Sequence, residues 1–334
     1  MSLHPAPLVS VMIPMYNVAP FVARCLQSVL AQDYPALEVV LVDDASQDAS
    51  LQIARDTIAA TPHTAQVKIV VHRHNQGLAM ARATALQASG GEWLLWLDSD
   101  DYWHNPQVVS RWVARARETG AAVVAADYIA DYPKRQEYRS LPRITDGRRY
   151  AIAILRGETP GFMHNKLIAR AHFLRYAMPW QAGQNLLEDY GSVIPLLYHT
   201  PQVAYLEGVA PVHYVQYNSG AYTKQVRPGQ IEAMVGLVDR LQEFMQPQAA
   251  HDNELRAALP LSYWTVKRLL LPTAPLSSYR TIARVAPQTN KYLGQVSAPW
   301  HERLIMYCQV HRPLFILGYL LNKAKRIIKD KLRY

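Results

Sequence analysis

Over the first 130 residues, short apolar runs alternate with segments of helical period, and few architectures accept that alternation. The runs Leu8–Ile13, Val39–Val42, Val67–Val71, Trp93–Leu97 and Ala122–Ala126 are each of strand length. Between them, Phe21–Leu30, Ala49–Ala60, Leu78–Ala88 and Pro106–Thr119 carry the helical period. Strands that read as continuous apolar runs are buried on both faces, and a helix after each one carries the chain back to begin a parallel neighbour. The pattern predicts an α/β fold, a mostly parallel central sheet with flanking helices. Such sheets bind ligands beyond the carboxyl ends of their strands. The polar residues that follow each run are therefore where chemistry is expected.

Beyond this block the pattern changes twice. From Asp131 to about Tyr150 it turns polar, with Arg, Pro and Gly, and reads as a long loop. Tyr150–His213 mixes short helices and strands, Asn218–Arg227 is a polar loop, and the chain from Ile231 onward is mainly helical, with breaks at Pro272, Pro275, Pro287 and Pro299. The expected organisation is one domain over 1–225, in halves 1–130 and 131–225, and a helical region over 226–334. Half of the 334 residues are hydrophobic, enough for a substantial core. The two cysteines, Cys25 and Cys308, lie far apart in no metal-ligand spacing, so neither a disulfide framework nor a zinc site is expected. Leu8–Pro14 is too short for a signal-peptide core, and Pro313–Leu321 falls short of the roughly 20 residues a membrane span needs. A soluble or peripheral protein in a reducing compartment fits these features.

Two acidic clusters follow strands. Asp98-Ser99-Asp100-Asp101 places three carboxylates in four positions after the run ending at Leu97. Like charges this close raise one another's pKa unless a cation or hydrogen-bond donors offset them. A hard divalent cation, Mn²⁺ or Mg²⁺, carrying a nucleotide diphosphate is the natural partner, because it takes one or two protein carboxylates and fills its shell with phosphate oxygens and water. The plainer reading is an N-terminal cap for the helix that follows. After Val42 stands Asp43-Asp44-Ala45-Ser46-Gln47-Asp48, where one carboxylate can accept the imide N–H of uracil and Asp48 can cap the next helix. At the first strand end, Tyr16 can pack on a base and Asn17 can bond to one.

The residues Val9-Ser10-Val11-Met12-Ile13-Pro14-Met15-Tyr16-Asn17, Val42-Asp43-Asp44-Ala45-Ser46, Asn75-Gln76-Gly77-Leu78-Ala79-Met80-Ala81-Arg82, and Gly91-Glu92-Trp93 leading to Asp98-Ser99-Asp100-Asp101 arrive in an order that closely resembles the family 2 inverting glycosyltransferases of GT-A fold. Four motifs in register over about a hundred residues carry the likeness. It continues more weakly through Asn165-Lys166-Leu167 and Glu188-Asp189 to roughly residue 225. The resemblance implies a Rossmann-like nucleotide-binding half, 1–130, and an acceptor half, 131–225. It further implies that Asp98, Asp100 and Asp101 bind the metal, with Asp98 and Asp100 also on the donor side, that Asp44 meets the uracil, and that Pro14, Tyr16 and Arg82 are donor contacts. Asp189 becomes the general base, where spacing alone leaves Glu188-Asp189 equally readable as a solvated helix start. An inverting transfer needs one such carboxylate and no covalent nucleophile. Glu188, His213 and Lys224 are further candidates for acceptor or phosphate contact. His164, Asn165 and Lys166 are read either that way or as buried structural polar residues.

The sequence departs from the family pattern in two places. Ala83 and Ala85 stand where Asn and Gly are common after Arg82, and His213-Tyr214 replaces a Tyr-Arg pair, so Lys224 or Arg227 is the expected substitute for that Arg. The implied activity is transfer of a hexosyl or N-acetylhexosaminyl group from a UDP-sugar to a glycan or lipid-linked acceptor in bacterial surface polysaccharide synthesis. A sugar-phosphate nucleotidyltransferase is the rival, but it needs a Gly-rich cationic loop after the first strand, and Pro14–Pro20 has neither Gly nor cation. A second rival is a sugar-binding module on a decayed transferase fold; the retained acids argue against it.

Of the net charge of +9, +6 resides in Glu302–Tyr334. There Leu317, Leu320, Leu321, Ala324, Ile327, Ile328 and Leu332 recur at helical spacing, and Lys323, Lys325, Arg326, Lys329, Lys331 and Arg333 fall largely elsewhere around the helix. A basic amphipathic helix of this kind either lies on anionic membrane or docks on its own protein with a charged outer face; the lopsided charge favours the first, which predicts a cytoplasmic protein peripheral to the inner face of the cell membrane. The charge sits on one terminal helix and is not interleaved with stacking aromatics, so nucleic acid is not an expected partner.

Overall fold

The computed structural model describes residues 6–218, 220, 229–270, 285–310, 314, 316–318, 320–321 and 323–324. In chain order the first elements are β1 (Val9–Met15), α1 (Ala19–Leu30), β2 (Leu37–Asp43), α2 (Ser50–Ala60), β3 (Gln66–Val71), α3 (Leu78–Ala88) and β4 (Trp93–Trp96). There follow β5 (Tyr102–Trp103), α4 (Val108–Thr119), β6 (Val123–Ala126), β7 (Tyr128–Asp131), β8 (Gln136–Arg139), α5 (Gly147–Arg156), β9 (Lys166–Ala169), α6 (Arg170–Tyr176) and α7 (Glu188–Tyr198). The remainder comprises β10 (Val203–Leu206), β11 (Val212–Val215), α8 (Gln230–His251), α9 (Asn253–Ala258), α10 (Ser262–Leu270) and α11 (Trp300–Val310).

The chain divides into two compact units that interleave along the sequence. One holds residues 1–147, 162–185 and 199–220; the other holds 148–161, 186–198 and 221–334.

In the first unit a seven-stranded sheet runs β10-β6-β9-β4-β1-β2-β3, and every neighbouring pair is parallel except those made by β9. Every residue of β1 and β2 is buried, as continuous apolar runs require. Helix α1 presents Val22, Cys25, Leu26 and Val29 to the same core, and α4 adds Trp112. One polar knot fastens the strands at the edge where β1, β2 and β4 begin. Ser10 Oγ donates to the buried Glu38 at 2.5 Å and accepts from Gly91 N at 2.8 Å, while Gly90 N donates to Glu38 at 2.8 Å. A Cβ on Gly91 would stand 2.6 Å from Ser10 N, so only glycine passes there.

A second, four-stranded sheet runs β5-β11-β7-β8. Within the polar stretch 131–150, whose composition predicts a loop, Gln136–Arg139 pairs antiparallel with Tyr128–Asp131. Strand β8 is a mostly exposed, polar edge, so it carries no apolar alternation for a reader to find.

The second unit is helical around Met234, Val238, Trp264, Val266 and Met306. Arg148 closes a two-pronged ion pair on Asp252 at 2.6 and 2.7 Å, and Asp252 also caps α9 by accepting from Glu254 N and Leu255 N. Both cysteines are buried and unbridged. No helix among the described residues is long and apolar enough to cross a membrane.

Candidate functional site

Because β2, β1 and β4 are parallel neighbours, their carboxyl ends reach the same edge of the sheet. The β1 and β2 ends interlock. Asn17 and Ala45 hold positive φ angles of 51° and 60°, Asn17 N donates to Ser46 Oγ at 3.1 Å, and Gln47 N donates to Asn17 Oδ1 at 2.8 Å. Left-handed non-glycine residues cost of order 1 kcal/mol and cluster at functional loops. Asp48 accepts from Ala19 N and Ser50 N, at the starts of α1 and α2. Pro14 is buried within β1, whereas Tyr16 is 43% exposed.

Asp44 sits beneath this edge, 2% exposed. Its Oδ1 pairs with His72 Nδ1 at 2.7 Å and accepts from Gln76 N at 2.8 Å, and its Oδ2 accepts from Gly77 N at 2.7 Å. Asp44 thus holds the turn into α3, with one of about four carboxylate lone pairs unspent. Gly77 opens α3 at φ 88°, and an added Cβ there would strike the Asn185 amide, which accepts from Ala79 N at 3.1 Å. Arg82, on the same helix, is buried and donates to Asp98 Oδ1 at 2.9 Å.

The loop after β4 carries the acids. Asp101 N donates to Asp98 O at 2.9 Å, which folds the loop into a turn. Asp100 Oδ2 accepts from Asn218 Nδ2 at 2.8 Å. Asp101, 1% exposed, accepts from Val215 N at 2.7 Å through Oδ1, while its Oδ2 is buried with no hydrogen-bond partner. Burial first, then the charges of Asp100 and Asp98, push the Asp101 carboxyl well above the usual carboxylate range; burial and Asp98 raise Asp100.

His164 lies beside the acid loop although it belongs to the segment before β9 and not to a strand end. It is 4% exposed, and its ring stacks on Phe162 at 4.9 Å and lies 5.0 Å from the Tyr214 ring. Burial lowers its pKa to about 4, so the imidazole is neutral near pH 7. Its Nε2 is buried with no hydrogen-bond partner. Asp98, Asp101 and His164 each offer a ligand atom, all within 4.8 Å of one another. Asp100 is not part of that trio. Two orphaned buried polar atoms, one on a carboxylate and one on an imidazole, beside the second carboxylate of Asp98 suit a divalent cation, since an unsatisfied buried polar atom otherwise costs about 1–3 kcal/mol.

The other expected residues fall in different settings. Asn165 Nδ2 donates to Ala126 O, and the buried Lys166 ammonium donates to Phe162 O at 2.6 Å and Asn165 Oδ1 at 2.9 Å, so both amide and amine are committed within the fold. His213, on β11, stacks on Tyr102 at 4.3 Å, and its Nε2 shares a proton with His104 Nδ1 at 2.8 Å. Glu188 and Asp189 open α7 in the second unit, directly after Leu187, whose φ is 64°. Lys224 and Arg227, like the basic stretch from Lys325 onward, lie outside the described residues.

Arg24 went unremarked in the sequence. Its guanidinium lies 4.0 Å over the Tyr102 ring and donates to Tyr217 OH at 2.7 Å, and its charge lowers the Asp100 and Asp101 carboxyls against the stronger upward shifts. Asn218 and Val215 also went unseen, because nothing in residues 215–218 by themselves marks them as anchors for a loop a hundred positions earlier.

Residues 10–175 match the profile of glycosyl transferase family 2. The chain belongs to that family. Among its relatives are the uncharacterized glycosyltransferase EpsJ of Bacillus subtilis (strain 168), 41% identical over 96 residues that make up 29% of this chain and 27% of EpsJ. The chondroitin synthase of Escherichia coli is 37% identical over 101 residues, 30% of this chain and 14% of the synthase. The chain therefore matches well under two thirds of the length of these two relatives. Its fold is shared with Staphylococcus aureus TarS 1–349, solved in complex with UDP-GlcNAc, at a TM-score of 0.61 and 18% identity over 96% of this chain and 91% of that one. The family's GT-A architecture is thus present here, with a mainly parallel sheet and a helical C-terminal region.

Asp101 should behave as a strained acid. With its folded pKa raised, the metal-free folded state holds a proton that the unfolded chain releases, so stability falls as pH rises above about 4. Asp101→Asn removes that penalty and should raise the melting temperature in EDTA at neutral pH by roughly 2–4 °C, while abolishing cation binding. Thermal melts from pH 4 to 8 and a Mn²⁺ titration of both proteins check it.

Proposed function

We propose that this protein is a metal-dependent, inverting glycosyltransferase that moves a sugar from a nucleotide diphosphate, UDP, to a hydroxyl of a glycan or lipid-linked acceptor. The observation that carries the reading is the acid loop itself, with Asp98, Asp101 and His164 converging and one polar atom each of Asp101 and His164 buried without a hydrogen-bond partner. Asp98, Asp101 and His164 would hold the cation, which when bound supplies Lewis-acid neutralisation of the diphosphate. Asp100 and Arg82 belong to the donor side, as do Pro14 and the exposed Tyr16, on whose ring a base can pack. The unspent lone pair of Asp44 is the candidate acceptor for the uracil imide N–H.

Asp189 is the proposed general base. Its carboxylate takes the proton of the acceptor hydroxyl as that oxygen bonds to the anomeric carbon; the bond from that carbon to the diphosphate oxygen breaks on the opposite face, and UDP leaves with the electron pair. The strained Leu187 that precedes α7 supports a functional assignment for Glu188-Asp189. Relatives named as glycosyltransferases and a chondroitin synthase support a bacterial surface polysaccharide as the setting.

We further propose a peripheral site of action on the inner face of the cell membrane. The basic tail supports it, and so does α11, where Trp300, Arg303, Leu304 and Tyr307 share one helical stripe and Trp300 is 72% exposed. Aromatic residues flanked by cations favour the bilayer interface.

Asp189→Asn keeps the shape of the side chain and removes the proton acceptor, so transfer should fall by roughly 10²–10⁴ while UDP affinity stays nearly constant. Transfer at the wild-type rate would place the base elsewhere. Deleting Asn322–Tyr334 should abolish salt-sensitive co-sedimentation with anionic vesicles and leave UDP binding intact. A full chain that never sediments with such vesicles would refute the membrane assignment and leave the transferase reading standing.

A further inference from the structure

We infer that His164 is a nitrogen ligand to the divalent cation and that it makes the site select a transition ion, Mn²⁺, over Mg²⁺ and Ca²⁺. This rests on the reading of the acid loop as a metal site and adds the identity of the ion. An acidic cluster alone would bind any hard cation through oxygen. What changes the chemistry here is an imidazole nitrogen within 4.8 Å of the ligand atoms of Asp98 and Asp101.

The surroundings leave that nitrogen little else to do. Phe162, Tyr128 and Tyr214 pack on His164 at ring-centroid distances of 4.9, 5.9 and 5.0 Å, so three of its neighbours are aromatic rings. Nε2 is buried and makes no hydrogen bond. Asp101 Oδ2 is in the same condition, because Val215 N occupies only the other oxygen. The two atoms are not hydrogen-bonded to each other. A cation held by both residues would satisfy both at once.

The third side is open. Asp98, with its side chain 30% exposed, marks the face through which phosphate oxygens and water complete the shell. Its Oδ1 is oriented by the buried Arg82. A site of two carboxylates and one imidazole is mixed oxygen and nitrogen. Mg²⁺ and Ca²⁺ favour oxygen throughout, whereas affinity at nitrogen-containing sites rises along the first transition row from Mn²⁺ onward. The ring packing holds the imidazole in place before the ion arrives, as ligand-orienting contacts do in metal sites.

The test is pulsed electron paramagnetic resonance of Mn²⁺ bound to the full chain, with and without UDP, beside calorimetric titration of Mn²⁺ and Mg²⁺. Wild type should show nitrogen-14 coupling to the bound Mn²⁺ and bind Mn²⁺ at least about tenfold more tightly than Mg²⁺. In His164→Gln, which keeps an oxygen donor and a similar length, the coupling should vanish and the two affinities should come within about twofold of each other. Mn²⁺ bound at the site without nitrogen coupling in wild type, or equal Mn²⁺ and Mg²⁺ affinities there, overturns the inference and leaves the metal-site reading intact. Failure of wild type to bind either ion, with or without UDP, overturns both. The wild-type spectrum decides the ligand set even where the variant folds poorly.

Discussion

The structure turns on one buried carboxylate. Asp101 lies almost wholly out of solvent with two more acids within three residues of it, an arrangement that burial and charge both oppose. It persists because the loop is tied down from several directions: Val215 N holds Asp101, Asn218 holds Asp100, and Arg82 holds Asp98. Two of these ties come from the end of β11 and the residues after it, so the second sheet of this unit serves to clamp the acid loop that the first sheet delivers. The strain is of the kind functional sites store, and a bound cation would relieve it.

Much of the first unit was legible in the amino-acid order because its signal is strong and local. Fully buried parallel strands must be continuous apolar runs, as β1, β2 and β6 are, and together with β4 and the half-exposed edge strand β3, whose run reads as buried but is not, they begin and end within two residues of the runs that announce them. Helix α3 spans Leu78–Ala88, the stretch its period marks. The acidic loops are found at strand ends because sheet topology leaves them no other place. Glycines were readable in kind but not in reason: Gly77 needs its positive φ and Gly91 its lack of a Cβ only against Asn185 and Ser10, neighbours that the fold supplies.

What stayed hidden depends on distant pairing. Strands β5 and β8 are short or polar, and their existence follows from β7 and β11 and not from their own residues. The antiparallel β9, wedged between β4 and β6, interrupts the parallel order without a compositional cue. His164 illustrates the same limit at the site. In the sequence it is one histidine beside Asn165 and Lys166, and all three invite one explanation; in the fold, Asn165 and Lys166 spend their polar atoms on backbone and on each other, while His164 alone turns its nitrogen toward the acids. Asp44 shows the converse, since a residue singled out for ligand contact also carries the hydrogen bonds that shape the turn into α3.

The central claim is that the acid loop is a cation site for a nucleotide diphosphate. The most direct measurement is anomalous diffraction at the manganese edge from crystals of the full chain grown with UDP and Mn²⁺. The account predicts a single strong anomalous peak bonded to Asp101 Oδ2 and to diphosphate oxygens, with UDP lying across the ends of β1 and β2. Well-ordered UDP with no ion at Asp101, or an ion bound away from the loop after β4, would contradict it.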